Sequence, residues 1–124
     1  MTHLLIIEDR KDFMEVLNDW IEEKLPVGES WDISHCNYFK ADDCMRKIND
    51  SDIILFCMSS NNKKHFDFFL TTYGLGLLDH KRVFLISDSN FSHIPENPKV
   101  EIHKCYEKDF VTHCIKNIIG RQAM

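Results

Sequence analysis

The chain has no long run of Lys and Arg, no long apolar run and no glycine-rich loop. Its formal net charge is -5 at pH 7, so it offers no basic face to a phosphate backbone, and nucleic-acid binding lacks its main electrostatic contribution. No apolar run approaches the roughly 18 residues that a membrane-spanning helix needs. Because the N-terminus reads as a strand followed at once by charges, and not as a signal peptide, we expect a cytoplasmic protein that binds neither nucleic acid nor membrane.

Motifs of common enzymes and metal sites are also missing. The four glycines form no phosphate loop, dinucleotide fingerprint or nucleophile elbow. The seven histidines show no metal-ligand spacing and are interpreted as scattered surface residues. The five cysteines are odd in number and form no C-x-x-C pair, so reduced thiols are expected. The chain is therefore not expected to be an enzyme.

The composition is that of one globular domain. Hydrophobic residues make up 44% of the chain and charged residues 28%, as in ordinary folded proteins. A chain of 124 residues is long enough to bury about two-thirds of its unfolded surface. We expect a single domain over residues 1–119 and a short C-terminal tail over residues 120–124.

Strand-like and helical apolar patterns alternate along the chain. The predicted strands are His3–Ile7, Trp31–Cys36, Asp52–Met58, Val83–Ile86 and Val100–Ile102. The second strand alternates in character and suits a sheet edge, whereas the third is a continuous apolar run typical of the sheet centre. The predicted helices are Phe13–Leu25, Ala41–Ile48, Phe66–Tyr73 and Phe110–Ile119. Two prolines within Ser87–Pro98 leave a fourth helix reduced or missing before the last strand.

This alternation predicts a three-layer α/β/α sandwich around a five-stranded parallel sheet. In such sheets, ligands bind beyond the carboxyl ends of the strands, at the switch point of the topology. The residues expected at that edge are Glu8, Asp9, Cys57–Ser60, Ser87, Asp88, His103 and Lys104.

These strand-end residues resemble the phosphorylation site of two-component receiver domains. The family carries an acidic pair after the first strand, a phosphate-accepting Asp after the third, Ser or Thr after the fourth and Lys after the fifth. The matching positions here are Glu8-Asp9, Cys57, Ser87 and Lys104. Ser87 follows Cys57 by 30 positions, which agrees with the family's usual spacing. The resemblance covers essentially the whole chain and implies a flavodoxin-like (CheY-like) fold.

The chain departs from the receiver pattern in several places. The departures are Cys57 at the acceptor position, Asn61 where a proline often follows it, Arg10 where a third acid is common, Cys105 in place of a proline, and only 17 positions between Ser87 and Lys104. The resemblance therefore implies an atypical receiver, or pseudo-receiver, that acts as a phosphorylation-independent signalling or protein-interaction module. Its expected partner is a protein, and a homodimer is left open.

The candidate site residues also have simpler interpretations. Glu8 and Asp9 either cap the first helix or, as the resemblance implies, contact Mg²⁺; no other cofactor is expected. Ser87, Lys104 and Tyr106 take switch-like positions in the resemblance, although Ser87 is also a common turn residue and Lys104 a common surface residue.

Cys57 has two interpretations as well. It is either a buried packing residue or a reactive thiol, in which case the domain is a redox sensor or a cysteine-dependent enzyme. A cysteine phosphatase loop needs an arginine where Lys63 stands, and lysine lacks the planar two-pronged donor. The interaction module is therefore the first hypothesis and the reactive thiol the alternative. Phe68, which lies off the main helical stripe, is interpreted as a candidate exposed contact.

Overall fold

The computed structural model describes residues 2–8, 10–24, 31–38, 40–58, 63–87 and 94–106. Within these ranges the strands are β1 (Thr2–Ile7), β2 (Trp31–Cys36), β3 (Ile53–Met58), β4 (Arg82–Ser87) and β5 (Glu101–Tyr106). The helices are α1 (Lys11–Lys24), α2 (Ala41–Asn49) and α3 (Lys63–Gly74). The predicted terminal helix over Phe110–Ile119 and the predicted tail lie outside the described residues.

All the strands pair in parallel and form one sheet with the order β2-β1-β3-β4-β5. This order is that of a flavodoxin-like α/β fold, with three helices in the ranges that the structure describes. The predicted fold class is confirmed, as are the edge position of β2 and the central position of β3.

Burial on both faces explains the continuous apolar runs. Every residue of β3 is buried, and so are the last five residues of β4. Strands that are covered on both sides have no polar face to offer to water. In β2, by contrast, Cys36 is the buried residue and the others are partly or fully exposed, as expected at an edge.

Helices cover the two faces of the sheet with separate cores. On one face, Leu17 and Ile21 of α1 pack against the sheet. On the other, Ile48 of α2 and Phe69 of α3 form the centre of a larger cluster. None of the helices in the described ranges is long and apolar enough to cross a membrane.

The last strand is longer than its apolar pattern predicts. We predict Val100–Ile102, but β5 runs over Glu101–Tyr106 because β4 continues to pair with it as far as the Ser87–Tyr106 pair. His103 and Lys104 consequently lie inside the strand and not beyond its end, which corrects the prediction from sequence. In the described part of the preceding segment, residues 94–100, no helix forms.

The prediction of reduced thiols is wrong for three cysteines, Cys36, Cys44 and Cys105, each of which is disulfide-bonded. Cys36, the last residue of β2, and Cys44, the fourth residue of α2, form a disulfide with their Cα atoms 5.7 Å apart. The pair is eight positions apart and has no C-x-x-C spacing, so the sequence pattern does not reveal it. The strand end and the helix start are brought together because α2 folds back onto the sheet, which places both sulfurs within bonding reach.

Candidate functional site

The candidate site lies at the carboxyl edge of the sheet, where the topology reverses. From β1 the chain crosses to β2 on one side, and it later returns to place β3 on the other side. The carboxyl ends of β1 and β3 therefore form the switch point at which open α/β sheets bind their ligands. Glu8 follows β1 at this point, and Cys57 and Met58 end β3.

Glu8 is a buried carboxylate that pairs with Arg10. Only 1% of Glu8 is exposed. Its Oε1 accepts a hydrogen bond of 3.0 Å from the backbone N–H of Arg10, and its Oε2 lies 3.3 Å from the Arg10 guanidinium. A buried carboxylate needs such compensation, because it loses its hydration. The arginine that replaces a third acid in the receiver pattern thus supplies positive charge to the acid that remains.

The predicted magnesium ligands are only partly placed. Glu8 is engaged by Arg10, and Asp9 lies outside the described residues. Among the residues that the structure describes, no group of three or more His, Cys, Asp or Glu side chains could hold a metal ion. Magnesium binding at Glu8 and Asp9 therefore stays a prediction.

Cys57 is part of the core on the α1 face of the sheet. Only 1% of the residue is exposed, it forms no disulfide, and it belongs to the same buried cluster as Leu17 and Ile21. Reactive thiols are partly exposed and lie in electropositive surroundings. The burial of Cys57 is that of a small packing residue, so it favours the packing interpretation over the reactive thiol.

The register of the sheet separates Lys104 from Cys57. Cys57 pairs with Ile86, which in turn pairs with Cys105, whereas Lys104 pairs with Leu85. Because successive side chains of a strand point to opposite faces, Lys104 leaves the sheet on the face opposite to Cys57. The structure does not bring these two predicted site residues together.

Lys104 instead lines a cavity on the α3 face. The residue is exposed, and the cavity has a volume of about 710 Å³. Tyr73, Ile94, Val100 and Ile102 also contribute to its walls. The hydroxyl of Tyr73 donates a hydrogen bond to the carbonyl of Pro95. Burial, together with Glu96 and Asp79, raises the pKa of Tyr73.

Ser87 and Tyr106 occupy the last register position of β4 and β5. Ser87 is 4% exposed, and it pairs with Met58 on one side and with Tyr106 on the other. It lies one position beyond the Cys57 row, on the opposite face of the sheet. The predicted site residues are therefore at one edge of the sheet but do not converge on one point.

An aromatic stack next to the switch point is not evident from the sequence. The ring of Tyr38, just after β2, lies parallel to the ring of His65 in the first turn of α3, with centroids 4.0 Å apart and planes at 14°. Phe68 meets Tyr38 edge-on at 5.7 Å and is only partly exposed.

The interpretation of the histidines as surface residues is wrong for His65, and the prediction of an exposed Phe68 is not supported. His65 is 4% exposed. A signal for its burial exists in the sequence, because His65, Phe69 and Tyr73 recur every four residues along α3. That spacing places them on one face of a helix.

The pKa values of His35 and His103 are shifted for identifiable reasons. Burial, helped by the positive charge of Lys47, lowers the pKa of His35. Burial, helped by Arg82, lowers the pKa of His103, whose ring stacks on Phe84 at 4.7 Å. Both imidazoles are therefore favoured in their neutral form.

The chain matches no protein-family model and no curated protein. The resemblance to receiver domains accordingly depends on the strand-end residues and on the order of strands and helices.

Proposed function

We propose that this chain is a receiver-like domain that acts as a phosphorylation-independent protein-interaction module in signalling. One observation carries the proposal. Glu8, the acid that follows β1, is buried against Arg10, and the neighbouring strand β3 holds the buried Cys57 at the position that corresponds to the acceptor. A flavodoxin-like sheet with a buried acid after β1 whose charge is compensated by Arg10 supports the proposal.

The chemistry of phosphoryl transfer supports this proposal. A phosphoryl acceptor at this edge would have to be an ionised carboxylate that solvent and a divalent cation can reach. Cys57 offers a thiol enclosed by the apolar cluster of the α1 face. Lys104, which would neutralise the phosphoryl oxygens, lies on the opposite face. The surface presented to a partner therefore does not depend on phosphorylation at position 57.

The proposed partner is another protein, and a second copy of this chain is one candidate. The net charge of -5 disfavours nucleic acid as the partner. A cytoplasmic location goes with the proposal, as predicted from the sequence.

The test is incubation of the full chain with a small phosphodonor, such as acetyl phosphate, and Mg²⁺, followed by intact-mass measurement. The expected result is an unchanged mass. A stable added phosphoryl group that disappears in Glu8→Gln would overturn the proposal. Asp52→Asn is the matched control, because Asp52 lies just before the start of β3, and five residues of strand place it roughly 16 Å from Cys57.

A further inference from the structure

The Cys36–Cys44 disulfide closes the connection between β2 and α2. Both residues are buried, with 4% of Cys36 and none of Cys44 exposed. Within the described part of the connection, the backbone N–H of Lys40 donates to the carbonyl of Asn37 at 2.9 Å, and that of Cys44 donates to the carbonyl of Lys40 at 2.9 Å. The disulfide and these two hydrogen bonds hold the connection in one conformation.

This connection reaches the candidate site in two ways. The carbonyl of Cys36 accepts a hydrogen bond of 3.0 Å from the backbone N–H of Glu8. Tyr38, two residues after Cys36, carries the ring that stacks on His65. A change in the distance between the two sulfurs would therefore shift both Glu8 and the Tyr38–His65 stack.

The surroundings of the sulfurs can accommodate two thiols as well as a disulfide. The carbonyl oxygen of Asn37 lies 3.1 Å from the Sγ of Cys44 and 3.6 Å from the Sγ of Cys36. The carbonyl oxygen of Lys40 lies 3.9 Å from the Sγ of Cys36. A thiol is a weak hydrogen-bond donor, so each S–H of the reduced pair would find an acceptor already in place.

We propose that Cys36 and Cys44 form a reversible redox switch that sets the conformation of the β2–α2 connection at the carboxyl edge of the sheet. The physiological side of this proposal rests on the cytoplasmic location given above. In the cytoplasm thiols are kept reduced, and the disulfides that do occur there are usually transient or redox-sensing. Oxidation closes the disulfide, and the β2–α2 connection, as part of the proposed protein-interaction surface, changes conformation in response.

The oxidation is a thiol–disulfide exchange with a low-molecular-weight disulfide such as oxidised glutathione. The Cys36 thiol first loses its proton. The resulting thiolate attacks one sulfur of that disulfide, which gives a mixed disulfide on Cys36 and releases one small thiol. The thiolate of Cys44 then attacks Cys36 in the mixed disulfide and releases the second small thiol. Two protein thiols thus lose two protons and two electrons, and the small disulfide is reduced to two thiols.

Cys36 is assigned as the entry sulfur because it lies on the edge strand, whereas Cys44 has no exposed surface. Cys36 is itself buried at 4% exposure, and the Asp43 carboxylate lies 3.9 Å from its Sγ and disfavours the thiolate, so the exchange requires local opening of the connection and is expected to be slow. Access favours attack at an edge over attack at a helix residue with no exposed surface. The assignment predicts different products for the two single variants. Cys44→Ser should retain glutathione on Cys36, since no second thiol displaces it, whereas Cys36→Ser should carry at least tenfold less glutathione on Cys44.

The test uses the full chain in buffers of stepped ratios of reduced to oxidised glutathione, followed by alkylation and tryptic mapping. Trypsin cleaves after Lys40, so that residues 25–40 and 41–46 separate and only the disulfide joins them. The other three cysteines fall on three further peptides. The expected result is a reversible transition of this peptide pair. A pair that stays joined, or stays separate, across the whole range would overturn the proposal.

A second measurement tests whether the redox state changes the conformation of the β2–α2 connection. Hydrogen–deuterium exchange of the oxidised and reduced wild-type chain should show at least tenfold faster exchange over residues 37–44 in the reduced state. Exchange in β3 should change less than exchange over residues 37–44, and Cys57→Ser, which keeps the pair, should show the same difference between the two states over residues 37–44 as wild type. Equal exchange over residues 37–44 in the oxidised and reduced states would show that the disulfide only stabilises the structure and does not switch its conformation. The phosphodonor test described above is independent of these measurements, so the two proposals can fail separately.

Discussion

The side chains of Cys57 and Lys104 leave the sheet on opposite faces, although the register through β4 places them only one residue apart. Cys57 aligns with Ile86, and Lys104 aligns with the preceding Leu85. Two residues that the sequence places at the ends of nearby strands are thus separated by the sheet and cannot act on one ligand together.

Replacing Cys57 with aspartate should strongly destabilise the domain. The new carboxylate would be buried in the apolar cluster on the α1 face with no added partner. An uncompensated buried charge costs about 3–5 kcal/mol, so the free energy of unfolding of Cys57→Asp should fall by about that amount. Urea denaturation at pH 7 measures it.

Cys57→Ala is the matched control for that substitution. It removes one buried sulfur and adds no charge, so it should cost only about 1–2 kcal/mol. Equal stabilities of the Ala and Asp variants would mean that water reaches position 57, and the packing interpretation of Cys57 would then have to be given up.

The sequence predicts the fold well because the fold follows from local apolar periodicity. Two continuous apolar runs identify β3 and β4, and the alternation in β2 identifies an edge. The length of β5 is missed since His103 and Lys104 interrupt its apolar pattern, and its last four residues, His103–Tyr106, are held by pairing with β4. Backbone pairing of this kind leaves no periodic signal.

The site is less predictable because its contacts depend on side-chain geometry. Glu8 and Arg10 are recognisable as a departure from a pattern, but their pairing needs a turn that brings both to one point. The Cys36–Cys44 bond needs α2 to fold back onto β2. Residue type and spacing do not encode either arrangement.

Glu8 and Arg10 should be energetically coupled. A double-mutant cycle with Glu8→Gln, Arg10→Gln and the double variant isolates their interaction. Hydrogen bonds to a charged group contribute about 1.5–3 kcal/mol, but 45% of the Arg10 side chain is exposed and solvent weakens the attraction. A coupling of about 1 kcal/mol is expected from urea denaturation.

The same cycle repeated with about 10 mM Mg²⁺ distinguishes charge compensation of Glu8 by Arg10 from compensation by a bound cation. If Arg10 compensates Glu8, the coupling is unchanged by Mg²⁺. A coupling that vanishes on adding Mg²⁺, with stabilisation of Arg10→Gln by the ion, would show that a cation competes for the pocket.

Two neighbouring glycines should respond in opposite directions to alanine. Gly76 has a φ of 77°, which costs an L-residue about 1–2 kcal/mol, so Gly76→Ala should lower the free energy of unfolding by that amount. Gly74 ends α3, and an added Cβ there would meet no atom within 4 Å. Gly74→Ala should therefore raise stability by about 0.5–1 kcal/mol.

Thermal and urea denaturation of the two glycine variants, measured side by side, check this pair. The contact that a Cβ at Gly76 would make with the Asp79 carboxylate, at 3.5 Å, is an ordinary van der Waals distance. Steric overlap is thus not the cause of the expected loss. A neutral Gly76→Ala would mean that the turn adopts another backbone conformation.

Lys81 should stabilise the carboxyl end of α2. Its Nζ donates a 3.2 Å hydrogen bond to the carbonyl of Asn49, the last residue of α2, and another to the carbonyl of Ser51. Lys81→Met keeps the apolar stem but loses both bonds, so the free energy of unfolding should fall by about 1–2 kcal/mol. Lys99→Met, at an exposed position, should leave stability within about 0.5 kcal/mol.

The stability of the domain should depend on the neutral form of His103. Burial and Arg82 lower the pKa of this imidazole in the folded chain, whereas the unfolded chain keeps the ordinary value near about 6.5. As the pH falls from about 7 through 6.5, the unfolded chain therefore binds the proton first, and stability is lost until the folded pKa is reached. His35 adds a loss of the same sign, because its pKa is lowered as well.

His103→Gln should therefore flatten the dependence of stability on pH. Loss of the ring contact with Phe84 lowers stability at every pH, so the slope and not the absolute value is the informative quantity. Urea denaturation between pH 7.5 and 5.0, a range around the ordinary histidine value of about 6.5, should give a slope smaller by a few tenths of a kcal/mol per pH unit. The double variant His35→Gln/His103→Gln should be flatter still. Parallel curves for wild type and both variants would show that neither histidine favours its neutral form in the fold, and the burial assigned to both rings would have to be revised.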